Sequence, residues 1–193
     1  MNAIRDFFLR AKHWQIFLLF LACFCLGTGT LLRAILGVPA DPFGKLLPFF
    51  VALEVAAVFF ATWLSSLGQM LRSVVPLPLR MRGRFFRFAV TFPPVYFPIF
   101  TMFYLGLNAR LSPSLIFASV LIIFPLHFFT MFCQLYSWYF VSKCLALAER
   151  LRPVSVLDYL ADILCIWFFP AGVWFIQPRV NRLYDRVVPA SPS

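Results

Sequence analysis

The sequence is poor in charged residues. Only 12% of its 193 residues are Asp, Glu, Lys or Arg, and only seven are acidic. An average soluble protein carries about 25% charged residues, so this chain has too little charge to solvate a globule of its size. No polar stretch is long enough to fold separately, and we expect residues 1–193 to form a single membrane domain.

Catalytic and cofactor-binding motifs are absent from the sequence as well. The chain has no GxSxG, HExxH or P-loop motif, no GxGxxG after a predicted strand, and no paired-aspartate pattern of the kind that membrane phospholipid synthases use. None of its five cysteines forms a CxxC pair, which favours packing roles over a disulfide or a metal site. We therefore expect no cofactor and no metal, and the absences favour a function that is not enzymatic.

Long apolar runs are what the sequence does contain. It is 62% hydrophobic, includes 26 Phe residues and has a mean hydropathy of +0.88. A helix needs about 20 mostly apolar residues to cross a hydrocarbon core roughly 30 Å thick. Five stretches have a suitable length: Trp14–Leu32, Leu46–Met70, Phe88–Leu107, Leu115–Val141 and Val156–Ile176. The sequence thus predicts an all-α integral membrane protein.

Basic residues are distributed unevenly between these stretches. The N-terminal segment, the second connection and the fourth connection carry three, five and three basic residues, whereas the first and third connections carry two and one. Lys and Arg concentrate in cytoplasmic loops, so this distribution predicts a cytoplasmic N-terminus in a bacterial-type inner (plasma) membrane. The long run after Trp14 predicts a signal anchor that is retained rather than a cleaved leader. In this setting the net charge of +10 indicates anionic lipid headgroups as partners, and we expect no nucleic acid.

The fifth apolar stretch, residues 156–176, is interrupted by Pro170, Ala171 and Gly172. Proline removes a backbone donor and clashes with the preceding turn, and glycine adds flexibility. A fifth crossing would place the basic tail, residues 177–193, outside, whereas a re-entrant or interfacial hairpin would return it to the cytoplasm. We favour a bundle of four transmembrane helices plus this interrupted element, and a fifth span is the alternative. The side chains suited to anchor the element at the membrane surface are Trp167, Trp174, Arg179 and Arg182.

The third apolar stretch contains three prolines, Pro93, Pro94 and Pro98. Helical backbone geometry is disfavoured for the residue that precedes a proline. This stretch is therefore expected either to be a kinked helix or to begin as a non-helical segment that becomes helical only after Pro98.

Polar and ionisable residues at membrane depth are costly, so each one suggests a functional position. Glu54 lies in the second stretch. The fourth stretch carries a polar stripe whose members are spaced three, four and three residues apart, on one helix face: His127, Thr130, Gln134 and Ser137. Two interpretations stay open, which are hydrogen bonding between helices and a polar cavity shared by Glu54 and His127 that could carry a proton.

Three further groups of residues stand out. Small residues follow Glu54 on one side of the second stretch and would let another helix approach closely: Ala57, Ala61, Ser65 and Gly68. Arginines of the second connection are candidates for contacting lipid phosphates: Arg80, Arg82, Arg84 and Arg87. Asp158 and Asp162 are expected to pair with Arg150, Arg152 or arginines of the tail rather than to bind a metal.

These features favour a small polytopic membrane protein that acts as a non-enzymatic subunit or scaffold through helix–helix contacts. Its partner would be another membrane protein or further copies of itself. The first alternative is a small transporter or channel with a polar path lined by Glu54, His127 and Gln134. The second alternative is a membrane enzyme acting on lipid.

Overall fold

A computed structural model describes residues 3–37, 42–103 and 112–187. Within these ranges the chain forms seven α-helices, two short 3-10 turns and no strand. The helices are α1 (Ala3–Arg10), α2 (His13–Leu36), α3 (Pro42–Val74), α4 (Arg84–Met102), α5 (Pro113–Arg150), α6 (Leu160–Trp167) and α7 (Val173–Val187). The predicted all-α fold is confirmed. Most of the third connection and residues 188–193 of the predicted tail lie outside the described residues.

Three helical segments are long and apolar enough to cross a membrane: His13–Leu36, Leu46–Val74 and Phe117–Arg150, with hydropathies of 2.0, 2.0 and 1.8. They correspond to the predicted first, second and fourth spans. The predicted third span falls on α4, which has 19 residues and is not one of the three segments found among the described residues. The three long apolar segments have the length and composition of membrane-spanning helices, which indicates a membrane protein.

α4 continues through all three of its prolines. The helix extends from Arg84 to Met102, so the predicted non-helical start before Pro98 is wrong. Packing against α5 holds the backbone in place, with the ring centroids of Phe92 and Phe129 5.1 Å apart. Prolines are tolerated in a membrane helix where neighbouring helices support the backbone.

The buried core lies at one end of the bundle, which we call the packed end. The buried side chains of α3 begin at Trp63, and the longest buried run of α5 lies between Phe140 and Ala148. By contrast, no described side chain is buried in residues 46–62 of α3 or 117–132 of α5. Long apolar side chains exposed over such a length are stable in lipid and not in water. Most of the buried core therefore lies at the packed end, whereas the opposite halves of α3 and α5 expose apolar side chains, as expected of a lipid-facing surface.

The interrupted C-terminal element folds as two short helices joined by a tight turn. α6 ends at Trp167 and α7 begins at Val173. A Cβ atom built at Gly172 would lie 1.6 Å from the carbonyl oxygen of Cys165, so only glycine fits this close approach of backbone to backbone. α7 then packs against α1, α2, α3 and α5. Its buried face consists of Val173, Ile176, Gln177, Val180, Leu183 and Tyr184.

Candidate functional site

His127 is the exposed end of the polar stripe on α5. Its Nδ1 lies 3.5 Å from the hydroxyl of Tyr96 on α4, which is long for a hydrogen bond. Its ring centroid is 5.6 Å from that of Phe100. His127 also lines a groove of about 320 Å³ between α4 and α5. The other lining residues are apolar: Phe100, Val120, Ile123, Phe124, Phe128 and Met131.

Two hydroxyl groups of the stripe are satisfied within α5 itself. Thr130 Oγ1 donates to the carbonyl of Leu126 at 2.9 Å, and Ser137 Oγ donates to the carbonyl of Cys133 at 2.8 Å. Such bonds to the preceding turn satisfy a hydroxyl without a partner helix. Ser137 is buried and Gln134 is half-buried. The stripe therefore changes from buried near the packed end to exposed at His127.

Glu54 lies on α3, within residues 46–62, where no described side chain is buried. It is half-buried, and its Oε2 is enclosed without a hydrogen-bond partner in the described structure. The described residues form a groove at His127 and a larger cleft at α3, and neither is lined by both Glu54 and His127. The shared polar cavity stays a prediction.

The small-residue face of α3 is covered at one end and open in the middle. At Gly68 a Cβ atom would lie 2.4 Å from the ring of Phe86, so α4 approaches α3 closely there. Ala61 and Ser65 instead line an open cleft of about 830 Å³ between α1, α3 and α4, and Ala57 is half-buried. Close packing between α3 and α4 therefore depends on Gly68.

The arginines of the second connection have two different environments. Arg80 turns back on the chain, and its guanidinium donates to the carbonyl groups of Ser73 and Val75 at 3.2 Å and 3.3 Å. These bonds satisfy carbonyls that have no helical partner at the end of α3. The remaining three are exposed and form no ion pair with the described residues: Arg82, Arg84 and Arg87. Lipid phosphates are therefore accessible to these three rather than to Arg80.

Gln177 of α7, which the sequence analysis did not single out, is fully buried and joins α7 to two other helices. Its Oε1 accepts a hydrogen bond from Nε1 of Trp63 on α3 at 3.0 Å. Its Nε2 lies 2.9 Å from the carbonyl oxygen of Phe8, 3.2 Å from that of Ala11 and 2.8 Å from Asn181 Oδ1. Carbonyl groups at the end of α1 have no partner within the helix, and Gln177 supplies one.

Arg179 of α7 connects to both α5 and α6. Its Nε donates to Glu149 Oε1 at 2.8 Å, and its guanidinium also pairs with the buried carboxylate of Asp162. The hydrogen bond to Glu149 raises the pKa of Arg179, burial opposes this rise, and the hydrogen bond to Asp162 adds to it. Arg150 pairs with Asp158. The predicted pairing of the two aspartates with Arg150 and a tail arginine is confirmed.

The predicted surface anchors are partly exposed. Trp167 is 58% exposed and Trp174 is 46% exposed. Each contacts a ring of an earlier helix, with centroid distances of 5.7 Å to Trp138 and 4.4 Å to His13. Arg182 is exposed, whereas Arg179 forms ion pairs with Glu149 of α5 and Asp162 of α6. Three of the four side chains are thus accessible at the surface.

No group of three or more His, Cys, Asp or Glu side chains in the described ranges is arranged to hold a metal ion. Compared with known proteins, the chain matches no family model, no curated protein and no solved structure. Its function therefore has to follow from the geometry of its own residues.

Proposed function

We propose that the chain is a non-enzymatic subunit of a bacterial inner membrane that acts through helix–helix contacts, with a partner helix docked in the groove beside His127. The observation that carries the proposal is the exposure of His127 at membrane depth. His127 lies ten residues beyond Phe117, the start of a segment able to span the membrane. Ten residues correspond to about 15 Å along the helix axis. This distance places His127 near the middle of a hydrocarbon core about 30 Å thick.

The topology that we propose has four spans and a re-entrant C-terminal element, with the N-terminus in the cytoplasm. α4 serves as the third span in chain order, since it pairs with α5 from the contact of Phe85 with Tyr136 to that of Tyr96 with His127. The bonds from Gln177 to carbonyls at the end of α1 support a tail that returns to the N-terminal side. The basic segments then share the cytoplasmic side, as the positive-inside rule favours.

The chemistry of the groove specifies the kind of helix that fits. An imidazole exposed to hydrocarbon is unfavourable unless it is hydrogen-bonded. The Tyr96 hydroxyl, at 3.5 Å, satisfies one ring nitrogen weakly, and no described residue bonds the other. A transmembrane helix with one hydrogen-bonding side chain at this depth would fill the apolar groove and pair with that nitrogen. Bonds of this type between membrane helices contribute roughly 0.6–2 kcal/mol.

The alternative of a transporter or channel has less support. It requires Glu54, His127 and Gln134 to line one path, and neither the groove at His127 nor the open cleft at α3 is lined by both Glu54 and His127. The enclosed oxygen of Glu54 is the one observation in its favour. A membrane enzyme acting on lipid is the other alternative, and no observation above favours it.

Site-specific photo-crosslinking in cells tests the docked helix. A photoreactive amino acid replaces Phe128 in the groove, and in a matched control it replaces Val51 on α3; the two side chains are 56% and 53% exposed. We expect a discrete protein adduct from position 128 and none from position 51. In the same background, His127→Leu should reduce the yield about threefold or more, because it removes the hydrogen bond between helices.

Two results would count against the docked helix. One is lipid adducts alone at both positions. The other is a protein adduct at position 128 whose yield does not change in His127→Leu. A product of twice the chain mass would identify the partner as a second copy of this chain.

A further inference from the structure

The open cleft between α1, α3 and α4 has an apolar part and a polar part. Its volume of about 830 Å³ lies within the range of roughly 300–1,000 Å³ typical of ligand sites. The apolar lining includes Val58, Pro94 and Val95, and the polar lining includes Ser65, Gln69 and Arg5. Eleven residues separate Val58 from Gln69 on α3, which is about 16 Å along the helix axis. The two parts therefore lie at different depths.

Arg5 of α1 brings a positive charge to the polar part of the cleft. Its Nε is buried and has no hydrogen-bond partner, and Arg5 takes part in none of the ion pairs of the described protein. Among the described residues the neighbouring Asp6 forms no ion pair with Arg5, and its carboxylate lies 3.5 Å from the hydroxyl of Tyr184 on α7. A buried donor without an acceptor is unfavourable, so an anionic group is expected at Arg5.

A second unpaired cation lies near the same end of the cleft. Arg87 precedes the lining residue Thr91 by four residues, which places both on one side of α4. Arg87 is exposed and is absent from the ion pairs of the described protein. None of the described residues that line the cleft is acidic. The charge at this end is therefore complementary to an anion.

Ser65 and Gln69 add neutral hydrogen-bond donors. Gln69 Nε2 donates to Ser65 Oγ at 2.9 Å, which leaves the hydroxyl proton of Ser65 and the second amide proton of Gln69 available. The hydroxyls of Thr62 and Thr91 donate to carbonyls of their own helices. Free donors in the same cleft as the Arg5 guanidinium suit a ligand rich in phosphate and ester oxygens.

We propose that this cleft binds one anionic glycerophospholipid from the side of the membrane on which α1 lies. The phosphate binds at Arg5 and Arg87, and the ester oxygens accept hydrogen bonds from Ser65 and Gln69. A partner helix in the same place would have to present an acidic side chain to Arg5 as well as an apolar face to the rest of the cleft. A lipid already carries its negative charge at the membrane surface.

The apolar part of the cleft accommodates an acyl chain. Val58 and Val95 are 47% and 61% exposed, so the cleft is open laterally to the membrane. Ala61 lies between the two parts on α3 and leaves room for the chain. A larger side chain at Ala61 would fill this space without changing any charge.

Lipid titration of the full-length protein in mild detergent tests the proposal, with thermal unfolding as the measurement. The probes are dioleoyl phosphatidylglycerol, dioleoyl phosphatidylcholine and inorganic phosphate. We expect the anionic lipid to bind at least about fivefold more tightly than the zwitterionic lipid, since the attraction of one arginine to an anionic lipid surface changes the affinity by about fivefold. Inorganic phosphate alone should give no stabilisation. Ala61→Leu should weaken the binding of both lipids.

Arg5→Gln should weaken binding of the anionic lipid about fivefold, whereas the matched control Arg152→Gln, an exposed arginine outside the cleft, should leave it unchanged. Equal binding of the two lipids, or equal losses in Arg5→Gln and Arg152→Gln, would overturn the proposal. Equal stabilisation by inorganic phosphate would assign Arg5 to a free anion instead. A co-purifying membrane protein that Ala61→Leu displaces would assign the cleft to a helix.

Discussion

Replacing Gly172 with alanine is expected to release α7 from the bundle and to lower the free energy of unfolding by about 3 kcal/mol or more. The alanine Cβ would lie 1.6 Å from the carbonyl oxygen of Cys165 and 2.3 Å from its carbonyl carbon. Both are backbone atoms of α6, so side-chain repacking does not relieve the overlap. The turn between α6 and α7 would have to open, and the buried face of α7 would lose its contacts.

Thermal unfolding in detergent, followed by circular dichroism, measures this loss. Gly29→Ala is the matched control, because no neighbouring atom of the described residues lies within 4 Å of a Cβ built at Gly29 on α2. Alanine is also the better helix former by about 1 kcal/mol. Gly29→Ala should keep or slightly raise the Tm, whereas Gly172→Ala should lower it strongly. Equal Tm values for the two variants would mean that the turn at Gly172 does not bring the two backbones together.

Gln177→Leu is also expected to lower the free energy of unfolding by about 3 kcal/mol. Leucine cannot hydrogen-bond, so the fully buried Trp63 Nε1 would lose its acceptor and the carbonyl of Phe8 would lose its donor. Each buried polar group left without a partner costs about 1–3 kcal/mol. The carbonyl of Ala11 keeps a bond from Asn181 Nδ2 at 3.2 Å. Asn181 Oδ1 also loses its bond from Gln177 but is only partly buried, so two buried groups are left without a partner.

A double-mutant cycle separates the Gln177 network from general packing. Trp63→Phe removes the indole N–H, so its combination with Gln177→Leu should cost about 0.5–3 kcal/mol less than the sum of the single losses. Phe175→Ala is the control on the same helix, since Phe175 is 66% exposed, and it should change stability by no more than about 0.5 kcal/mol. Strictly additive losses in the cycle would show that Gln177 and Trp63 do not interact.

Hydropathy predicted the membrane helices but not where they end. α5 was expected to end near Val141 and instead extends to Arg150. The added turns contain Lys143 and Glu149, which lower the hydropathy, yet Leu145 within them is fully buried. Hydropathy measures transfer into lipid, whereas packing of an amphipathic face against other helices extends a helix beyond the membrane core.

The hydrogen-bond network of the tail was harder to predict. Gln177 precedes Pro178 and Arg179, and the sequence alone assigns it to the basic tail. The signal that could have found it is a stripe with spacings of four, three and four residues, all buried: Val173, Gln177, Val180 and Tyr184. A polar residue within such a stripe indicates a buried hydrogen bond. By contrast, the ion pairs of Asp158 and Asp162 were predictable, because the only basic residues near them in the sequence are those of the fourth connection and the tail.

The candidate site was predictable only as a set of residues. Spacing placed His127 on the polar side of one helix, but its exposure depends on where α4 and the bundle surface lie. The open cleft joins Arg5, Ser65 and Thr91, which belong to three different helices. Periodicity within a single helix specifies a face and not the element that covers it.

The central claim is that the C-terminal segment returns to the side of the membrane on which the N-terminus lies. The most direct measurement is labelling with a membrane-impermeant maleimide in a background without native cysteines, with single cysteines introduced by Ala3→Cys and by Ser193→Cys. We predict that both variants react in inverted inner-membrane vesicles and that neither reacts in intact spheroplasts. Labelling of Ser193→Cys only from the outside, while Ala3→Cys reacts only from the cytoplasmic side, would contradict the claim.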